Sequence, residues 1–525
     1  MNTKHLILSC FLISSVAIFH TWFLQGAQAQ EVTCQGILPA PVEYRADGGF
    51  STAGEARVRM GGRGFRKAVK ELEPWQQEEA YRLTVKPRSI RIEAMTPEGV
   101  FRARTTLNQL RENGPLPCCT IVDYPRFRHR GLMLDESRSF HGLAFLKKQV
   151  DAMALLKLNV LHLHLDDSAG WRIEIDSYPD LTGKTAWRIG RTYHQWEAGK
   201  YRFSTADNPD AYGGYYSKED LRELVAYAQE RFITIIPEIE MPGHSMEVGY
   251  AYPEVLCQLP DGRRHTGAWD LCPGSEATFA LLESVLEEVM EIFPSQLIHI
   301  GGDEATMKTW PECVNCRRRM QEEGYADVKQ LQGYLVRRIE AFVRSHGRRI
   351  VGWDEILETG VPENAVVQSW RGVSGGIKAC AAGHDVILSP NTHCYLNYYQ
   401  DLIRKEPKAV GELVSLRFAY GFDPLSPGMD PGHLLGIQAN LWTELIPTAE
   451  HAEYMLYPRL LALAETAWTP ASAKEYKGFR KRARALVDIL RARGYNTFDM
   501  DTESDLARSG LQRFPPEGVP IPVDD

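Results

Sequence analysis

The sequence is short of positive charge. Its 525 residues hold 60 Lys and Arg against 68 Asp and Glu, a formal charge of −8. That balance gives no electrostatic reason to expect nucleic acid or an anionic membrane surface as partner. The basic runs Arg317-Arg318-Arg319 and Arg480-Lys481-Arg482 are short and read as solvated helix faces. Internal repeats are lacking, which argues against solenoids and propellers. Beyond the first thirty residues no stretch approaches the ~20 unbroken apolar residues of a membrane span, so no stable membrane insertion is expected. No Gly-rich phosphate turn follows an early strand, which argues against a doubly wound nucleotide-binding sheet. Cys313-x-x-Cys316 has no second Cys-x-x-Cys and no suitably spaced His pair to complete a zinc site, so neither a metal nor any other cofactor is expected. No thioredoxin-like unit surrounds it, which removes a redox role.

What is present begins with a leader. Lys4, the mostly apolar stretch Leu6 to Leu24 and Ala27-Gln28-Ala29 have the layout of a secretory signal peptide over residues 1–29. The protein is therefore expected to be exported, periplasmic or secreted, with an uncleaved anchor as the alternative. Cleavage takes Cys10 with it and leaves nine cysteines, an odd number, so at least one thiol is free or pairs outside the chain. Disulfides are permitted outside the cytoplasm. Cys257 and Cys272 flank a loop and are the favoured pair.

Residues 34–123 read as a small α+β domain. Tyr81–Val85 and Ile90–Ile92 alternate apolar and polar residues, the period of half-buried strands, and Phe101–Leu110 is helical in pattern. Over 124–470 short apolar strands alternate with amphipathic stretches, which predicts a parallel sheet of βα units. Eight strands are expected: Gly131–Leu134, Val160–Leu165, Ile233–Pro237, Leu297–Ile300, Arg349–Trp353, Ala365–Trp370, Asp385–Ser389 and Leu435–Ala439. Helices are expected at Phe145–Leu156, Lys218–Glu230, Thr278–Phe293, Val328–Ser345, Ile377–Ala382 and Ala452–Ala467. The fold class is thus α/β, a (β/α)8 TIM barrel preceded by a small α+β domain. Residues 471–525 add a basic helix at Phe479–Arg493 and a loose Pro-rich tail.

Working residues of such a barrel gather at the C-terminal strand ends. Those ends carry Asp135-Glu136-Ser137-Arg138, His164-Leu165-Asp166-Asp167, Glu238-Ile239-Glu240 with His244, and Gly301-Gly302-Asp303-Glu304. Later ends carry Trp353-Asp354-Glu355, Ser369-Trp370-Arg371, Tyr395-Leu396-Asn397 and Asn440-Leu441-Trp442-Thr443-Glu444. Carboxylates do acid–base work and flat rings stack on sugars, so the combination points to a glycosidase. Asp303 and Glu304 are neighbours in one field, so one of them should hold its proton longer. Gly301 and Gly302 are read as positions where a ligand approaches the backbone. One carboxylic acid must protonate the leaving oxygen. A 2-acetamido sugar supplies its own nucleophile, so the second carboxylate need only orient the acetamide.

At this point the chain resembles family 20 glycoside hydrolases, the β-N-acetylhexosaminidases, from about Ile37 to about Trp468. The family pattern His-x-Gly-Gly-Asp-Glu is matched at His299–Glu304, Arg-Gly-Leu-Met-Leu-Asp-x-Ser-Arg at 130–138, and Pro-Glu-Ile-Glu-Met-Pro-Gly-His at 237–244. The resemblance implies a retaining exo-enzyme that releases terminal N-acetylglucosamine or N-acetylgalactosamine from oligosaccharides or glycoconjugates. It implies Asp303 as the acetamide-orienting residue and Glu304 as acid/base, and as the acid Glu304 is expected to have the raised pKa. Arg138 would clamp O3 and O4, and His244, polarised by Asp167, would sit near the acid. Trp353, Trp370 and Trp442 would line the pocket, Tyr395 would donate to the acetamide oxygen, and Glu444 would bind O4 and O6. Two departures stand out. The family's Asp-Asp-Gln after the second strand appears as Asp167-Ser168-Ala169, which puts the support of Asp167 in doubt, and Asn397 stands where many relatives have Asp. A neutral amide there removes repulsion toward an anionic substituent, so a 6-sulfated sugar becomes acceptable. Two other readings remain open: a metal-dependent barrel hydrolase built on His162-x-His164, whose side chains share one strand face, and a sugar-binding protein without catalysis.

Overall fold

The computed structural model describes residues 36–513. The leader segment, Cys10, Cys34 and the Pro-rich tail lie outside the described residues. Among them no helix is long and apolar enough to cross a membrane.

The N-terminal unit is a five-stranded sheet of order β1-β5-β3-β4-β2, formed by Glu43–Phe50 (β1), Ala56–Met60 (β2), Tyr81–Lys86 (β3), Ser89–Ala94 (β4) and Pro117–Asp123 (β5). Its long helix, Pro97–Glu112 (α1), starts where Thr96 accepts a hydrogen bond from the Gly99 amide and Pro97 takes the first turn. Val100, Ala103, Leu107 and Leu110 recur at helical spacing and pack on Leu83, Val85, Ile90 and Ile92. β1 and β2 are almost wholly exposed. They carry no buried alternation, which is why the sequence pattern missed them.

A closed barrel follows. Its strands are His129–Asp135 (β6), Val160–His164 (β7), Thr234–Glu238 (β8), Leu297–His299 (β9), Arg349–Trp353 (β10), Val366–Ser369 (β11), Val386–Leu388 (β12) and Leu434–Leu441 (β13). They pair in sequence and β13 closes on β6, all in parallel. The helices Leu143–Leu155 (α2), Lys218–Gln229 (α3) and Glu276–Ile292 (α4) cover the first connections. Val314–Glu323 (α5) and Gln330–Ser345 (α6) follow β9, and Ser374–Ala381 (α7) follows β11. Between β10 and β11 only a 3-10 segment, Asp354–Thr359, makes the crossing. The single helix expected over Ala452–Ala467 is two, Ala449–Leu456 (α8) and Arg459–Trp468 (α9). Pro458 lacks an amide donor and its ring clashes with the preceding turn. The C-terminal helix, Tyr476–Ala492 (α10), lays Phe479, Ala483, Leu486, Val487 and Leu490 on the main core.

The barrel interior is polar. In β6 and β7 the outward residues Leu132, Leu134, Leu161 and Leu163 join the helices, while Met133, His162 and His164 alternate with them and point inward. Strand register sets Asp135 beside His164, His164 beside Glu238, and Glu238 beside His299. One row of ionisable groups therefore crosses four neighbouring strands of the upper barrel.

The two units are joined by buried charge. Lys157, just before β7, places its ammonium 2.7 Å from Asp123 Oδ2 at the end of β5, and both side chains are fully buried. Trp468 Nε1 at the end of α9 donates to Asp123 Oδ1 at 2.9 Å, and Tyr81 donates its hydroxyl to Oδ2 at 2.7 Å. Removing one member of such a pair leaves the other desolvated and uncompensated. Lys157→Met is expected to lower unfolding stability by about 3–5 kcal/mol. Denaturant unfolding measures this, and a loss below ~1 kcal/mol contradicts the assignment.

Candidate active site

The strand ends converge on Asp167. Its Oδ2 is 2.6 Å from Arg138 Nη2, 3.3 Å from His164 Nε2 and 3.1 Å from His244 Nδ1. Burial opposes its charge, but Arg138, then His244 and the hydrogen bond from His164, hold the carboxyl far below the usual range. Oδ1 of Asp167 and the hydroxyl of buried Ser168 have no hydrogen-bond partner. The expected weakness beside the Ser168-Ala169 departure thus falls on Oδ1, while the three cations all hold Oδ2.

Behind Asp167 lies Glu238. Its carboxylate faces His162 Nε2 at 3.1 Å, His164 Nδ1, and His299 Nδ1 at 2.8 Å, and it accepts the Trp353 indole N–H at 3.0 Å. His164 donates from both ring nitrogens, to Glu238 and to Asp167. Desolvation disfavours its proton, yet Glu238 and Asp167 raise its pKa well above the ordinary value. His162 also takes a contact from Gln438 Nε2 at 3.0 Å on Nδ1, while its Nε2, 3.1 Å from Glu238 Oε2, makes no hydrogen bond. Of His162-x-His164, His164 is thus the residue hydrogen-bonded to Glu238.

In front of Asp167 stand the paired acids. His244 turns its Nε2 toward Glu304 Oε2 at 3.5 Å and Asp303 Oδ2 at 3.8 Å. Desolvation works against the imidazolium, but Asp167, Glu304 and Asp303 raise its pKa well above normal. The imidazolium form of His244 is therefore favoured. The two acids divide by depth: the Glu304 side chain is 59% exposed and that of Asp303 is 13% exposed. The hydrogen bond from His244 lowers the Glu304 pKa. Burial raises that of Asp303, helped by Glu238 and Glu304 against His244. The split between neighbours is as expected but its direction is reversed, because the cation that favours the charged form sits against Glu304. Asp303 Oδ1 is buried with no partner.

Backbone shape sets these directions. Gly301 has φ +63°, and a Cβ there would meet the Glu240 carboxylate at 1.9 Å; Gly302 has φ +99°, and its Cβ would meet Ile356 at 2.7 Å. The glycines thus make room for Glu240 and Ile356. His244 and Glu304 themselves sit at φ +51° and +48°. Such conformations cost about 1–3 kcal/mol each and persist where the surroundings over-determine them.

The aromatic residues form the wall. Met133, Trp353, Tyr395 and Trp442 make one buried cluster, with Trp370 packed against it. Trp370 stacks on Tyr395 at 6.1 Å and 17°, and Trp353 lies 5.9 Å from Trp442. Arg138 lies over Trp442 at 4.9 Å and reaches Asp135 at 3.2 Å and Glu444 at 4.0 Å. Burial raises the Glu444 pKa against the pull of Arg138. Asn397 is buried and its Oδ1 has no partner. Glu355, named only as a strand-end acid, accepts the Trp370 indole N–H at 3.0 Å, and burial followed by Asp303 pushes its pKa up to about 8. Its signal was its place one residue beyond Asp354, at the end of β10. A separate cleft of about 270 Å³ opens at the opposite end of the barrel, beside Glu79, Glu98 and Arg128. Arg102 and Arg130 occupy Glu79 there, at 2.9 and 2.5 Å.

The family model for the glycosyl hydrolase family 20 catalytic domain matches residues 127–471, and that for domain 2 of the same family matches 43–124. A β-hexosaminidase of Porphyromonas gingivalis is 39% identical over 426 residues, covering 77% of this chain and 53% of that protein. A β-hexosaminidase of Vibrio furnissii is 40% identical over 412 residues, covering 75% and 66%. The chain thus spans about half of the first relative and just under two thirds of the second. A solved exo β-N-acetylglucosaminidase from Vibrio harveyi, in complex with N-acetylglucosamine, superposes with a TM-score of 0.76 at 31% identity, covering 89% of this chain and 78% of that one.

The contact between His244 and Glu304 makes a prediction about charge. Removing the imidazolium withdraws the group that stabilises the Glu304 carboxylate, so His244→Asn should raise the Glu304 pKa. Carbon-13 NMR titration of the side-chain carboxyls, assigned with Glu304→Gln, reads this directly. An unchanged or lower value contradicts the contact.

Proposed function

The chain belongs to glycosyl hydrolase family 20, and on that footing we propose that it is a retaining exo-β-N-acetylhexosaminidase whose substrate supplies the nucleophile. The observation that carries the proposal is Asp303 Oδ1, a buried acceptor without a partner in an aromatic pocket, one residue from a more open acid. An N–H donor placed on that oxygen satisfies it, and the 2-acetamido group of a terminal sugar brings one. The acetamide oxygen attacks the anomeric carbon, Glu304 gives its proton to the departing oxygen, and a cyclic oxazolinium forms beside the Asp303 carboxylate. Water, deprotonated by Glu304, then opens the ring, and two displacements leave the configuration retained.

The other residues take supporting parts. Arg138 and Glu444 close the pocket over O3, O4 and O6, which suits attack at a chain end. Trp353, Trp370 and Trp442 enclose the ring and acetamide, and Tyr395 donates to the acetamide oxygen. Asp167 and His244 set the charge around Glu304. Substrate binding reverses the order of the two acids: donation from the acetamide N–H favours ionised Asp303, and the covering sugar removes water from Glu304 and favours its proton. The substrates are terminal N-acetylglucosamine or N-acetylgalactosamine residues of oligosaccharides or glycoconjugates, met outside the cytoplasm if residues 1–29 act as a signal. The solved Vibrio harveyi structure with bound N-acetylglucosamine supports the first of these sugars.

A finer reading concerns Asn397, whose buried amide oxygen has no partner. Turning that amide presents an N–H₂ toward the O4–O6 side of the sugar without adding negative charge. Tolerance of a 6-sulfated N-acetylglucosamine follows.

Two experiments test these readings. Glu304→Gln should lose about 10²–10⁴-fold in kcat on aryl N-acetyl-β-glucosaminides with poor leaving groups and far less on 4-nitrophenyl or dinitrophenyl glycosides. Equal losses contradict the acid role, and equal hydrolysis of glucosides lacking the acetamide removes its role as nucleophile. Asn397→Asp should lower the ratio of sulfated to unsulfated kcat/KM; an unchanged ratio ends the sulfate reading.

A further inference from the structure

Four buried cysteines meet at one point outside the catalytic pocket. The sulfurs of Cys272 and Cys313 are 3.5 Å apart, those of Cys272 and Cys316 3.5 Å, and those of Cys257 and Cys316 3.8 Å. All four ligand atoms lie within 4.8 Å of one another, and each residue is fully buried. These separations exceed a disulfide's S–S length of about 2.05 Å, and all four cysteines are free, which corrects the expected Cys257–Cys272 pair. Four thiolates held about 2.3 Å from one zinc ion form a tetrahedron with edges of about 3.8 Å, close to the spacing seen. We infer that Cys257, Cys272, Cys313 and Cys316 form a structural site for one zinc ion.

The surroundings fit a closed metal site. Trp310 and Leu331 complete a small apolar cluster around the sulfurs. The Cys316 amide points at Cys313 Sγ at 3.5 Å, a donor that favours a thiolate. Cys313 and Cys316 open α5, while Cys257 and Cys272 bracket a loop closed by the Gln258–Arg264 bridge and by hydrogen bonds from the Leu259 amide to Arg263 O and from the His265 amide to Cys257 O. The spacing hid the site, because a single Cys-x-x-Cys is completed by two cysteines distant from it in sequence.

The site also has a mechanical role. Two residues before Cys272, Asp270 accepts hydrogen bonds from the amides of Thr306 and Met307 at 3.0 and 2.7 Å and from the Thr306 hydroxyl at 2.6 Å. Leu271 O accepts the Trp310 indole N–H at 3.1 Å. The ion thus ties the Asp270 loop to α5, and between them they hold the chain that leaves Glu304. This assignment stands whether or not the catalytic proposal does.

The test is metal content. The full chain, purified in metal-free buffer after growth with zinc, should contain about one zinc per chain by plasma mass spectrometry. Titration with an organomercurial should release that zinc to a chromogenic chelator as four thiols react. Cys313→Ser/Cys316→Ser should lose the metal, while Cys394→Ser, buried elsewhere, should keep it. Because the double variant can fail to fold, the wild-type stoichiometry decides. Absence of zinc, with four free thiols or with two disulfides by intact mass, overturns the site, and iron in its place overturns the assignment to zinc.

Discussion

The pocket depends on one carboxylate oxygen. Asp167 Oδ2 receives a guanidinium and two imidazoles at once. Each neighbour answers to a different part of the site: Arg138 to the sugar-side wall, His164 to the barrel interior, His244 to the paired acids. Charge alternates along the chain Glu238, His164, Asp167, His244, Glu304. For the buried members, each charge is favoured by the next one in the chain. That coupling raises the His244 pKa, and His244 in turn lowers that of the more open Glu304.

The same arrangement divides labour between two acids that are neighbours in sequence. Asp303 points into the aromatic pocket and is raised by burial; Glu304 points to the mouth and is lowered by His244. Gly301, Gly302 and Glu304 all have left-handed backbone, and the two side chains differ in depth although both face His244 Nε2. The loop that follows is pinned by Asp270, and Asp270 by the cysteine cluster, so the position of the acid traces back to a feature well outside the pocket.

Much of this was legible in order of pattern strength. All eight barrel strands and most of their helices have strong periodicity, because each strand buries one face against helices and each helix one stripe against the sheet. The exposed strands β1 and β2 bury nothing and leave no pattern. The break at Pro458 was written in the sequence but outweighed by the apolar spacing on either side of it. The converging strand ends were legible because a closed barrel sends every C-terminal end to one rim. That geometry requires no knowledge of how the side chains then turn.

The sequence alone determined the fold class and which residues share the rim, since periodicity and strand ends are local properties. It also determined the family resemblance, through short motifs whose residues are contiguous. Tertiary structure decided the direction of the pKa split, the relay through Glu238 and Asp167, the side chains that crowd Gly301 and Gly302, and the meeting of four cysteines. Each of these rests on groups that are distant in sequence and within 4 Å or so in space, where desolvation and Coulomb forces act on what surrounds a residue rather than on what precedes it.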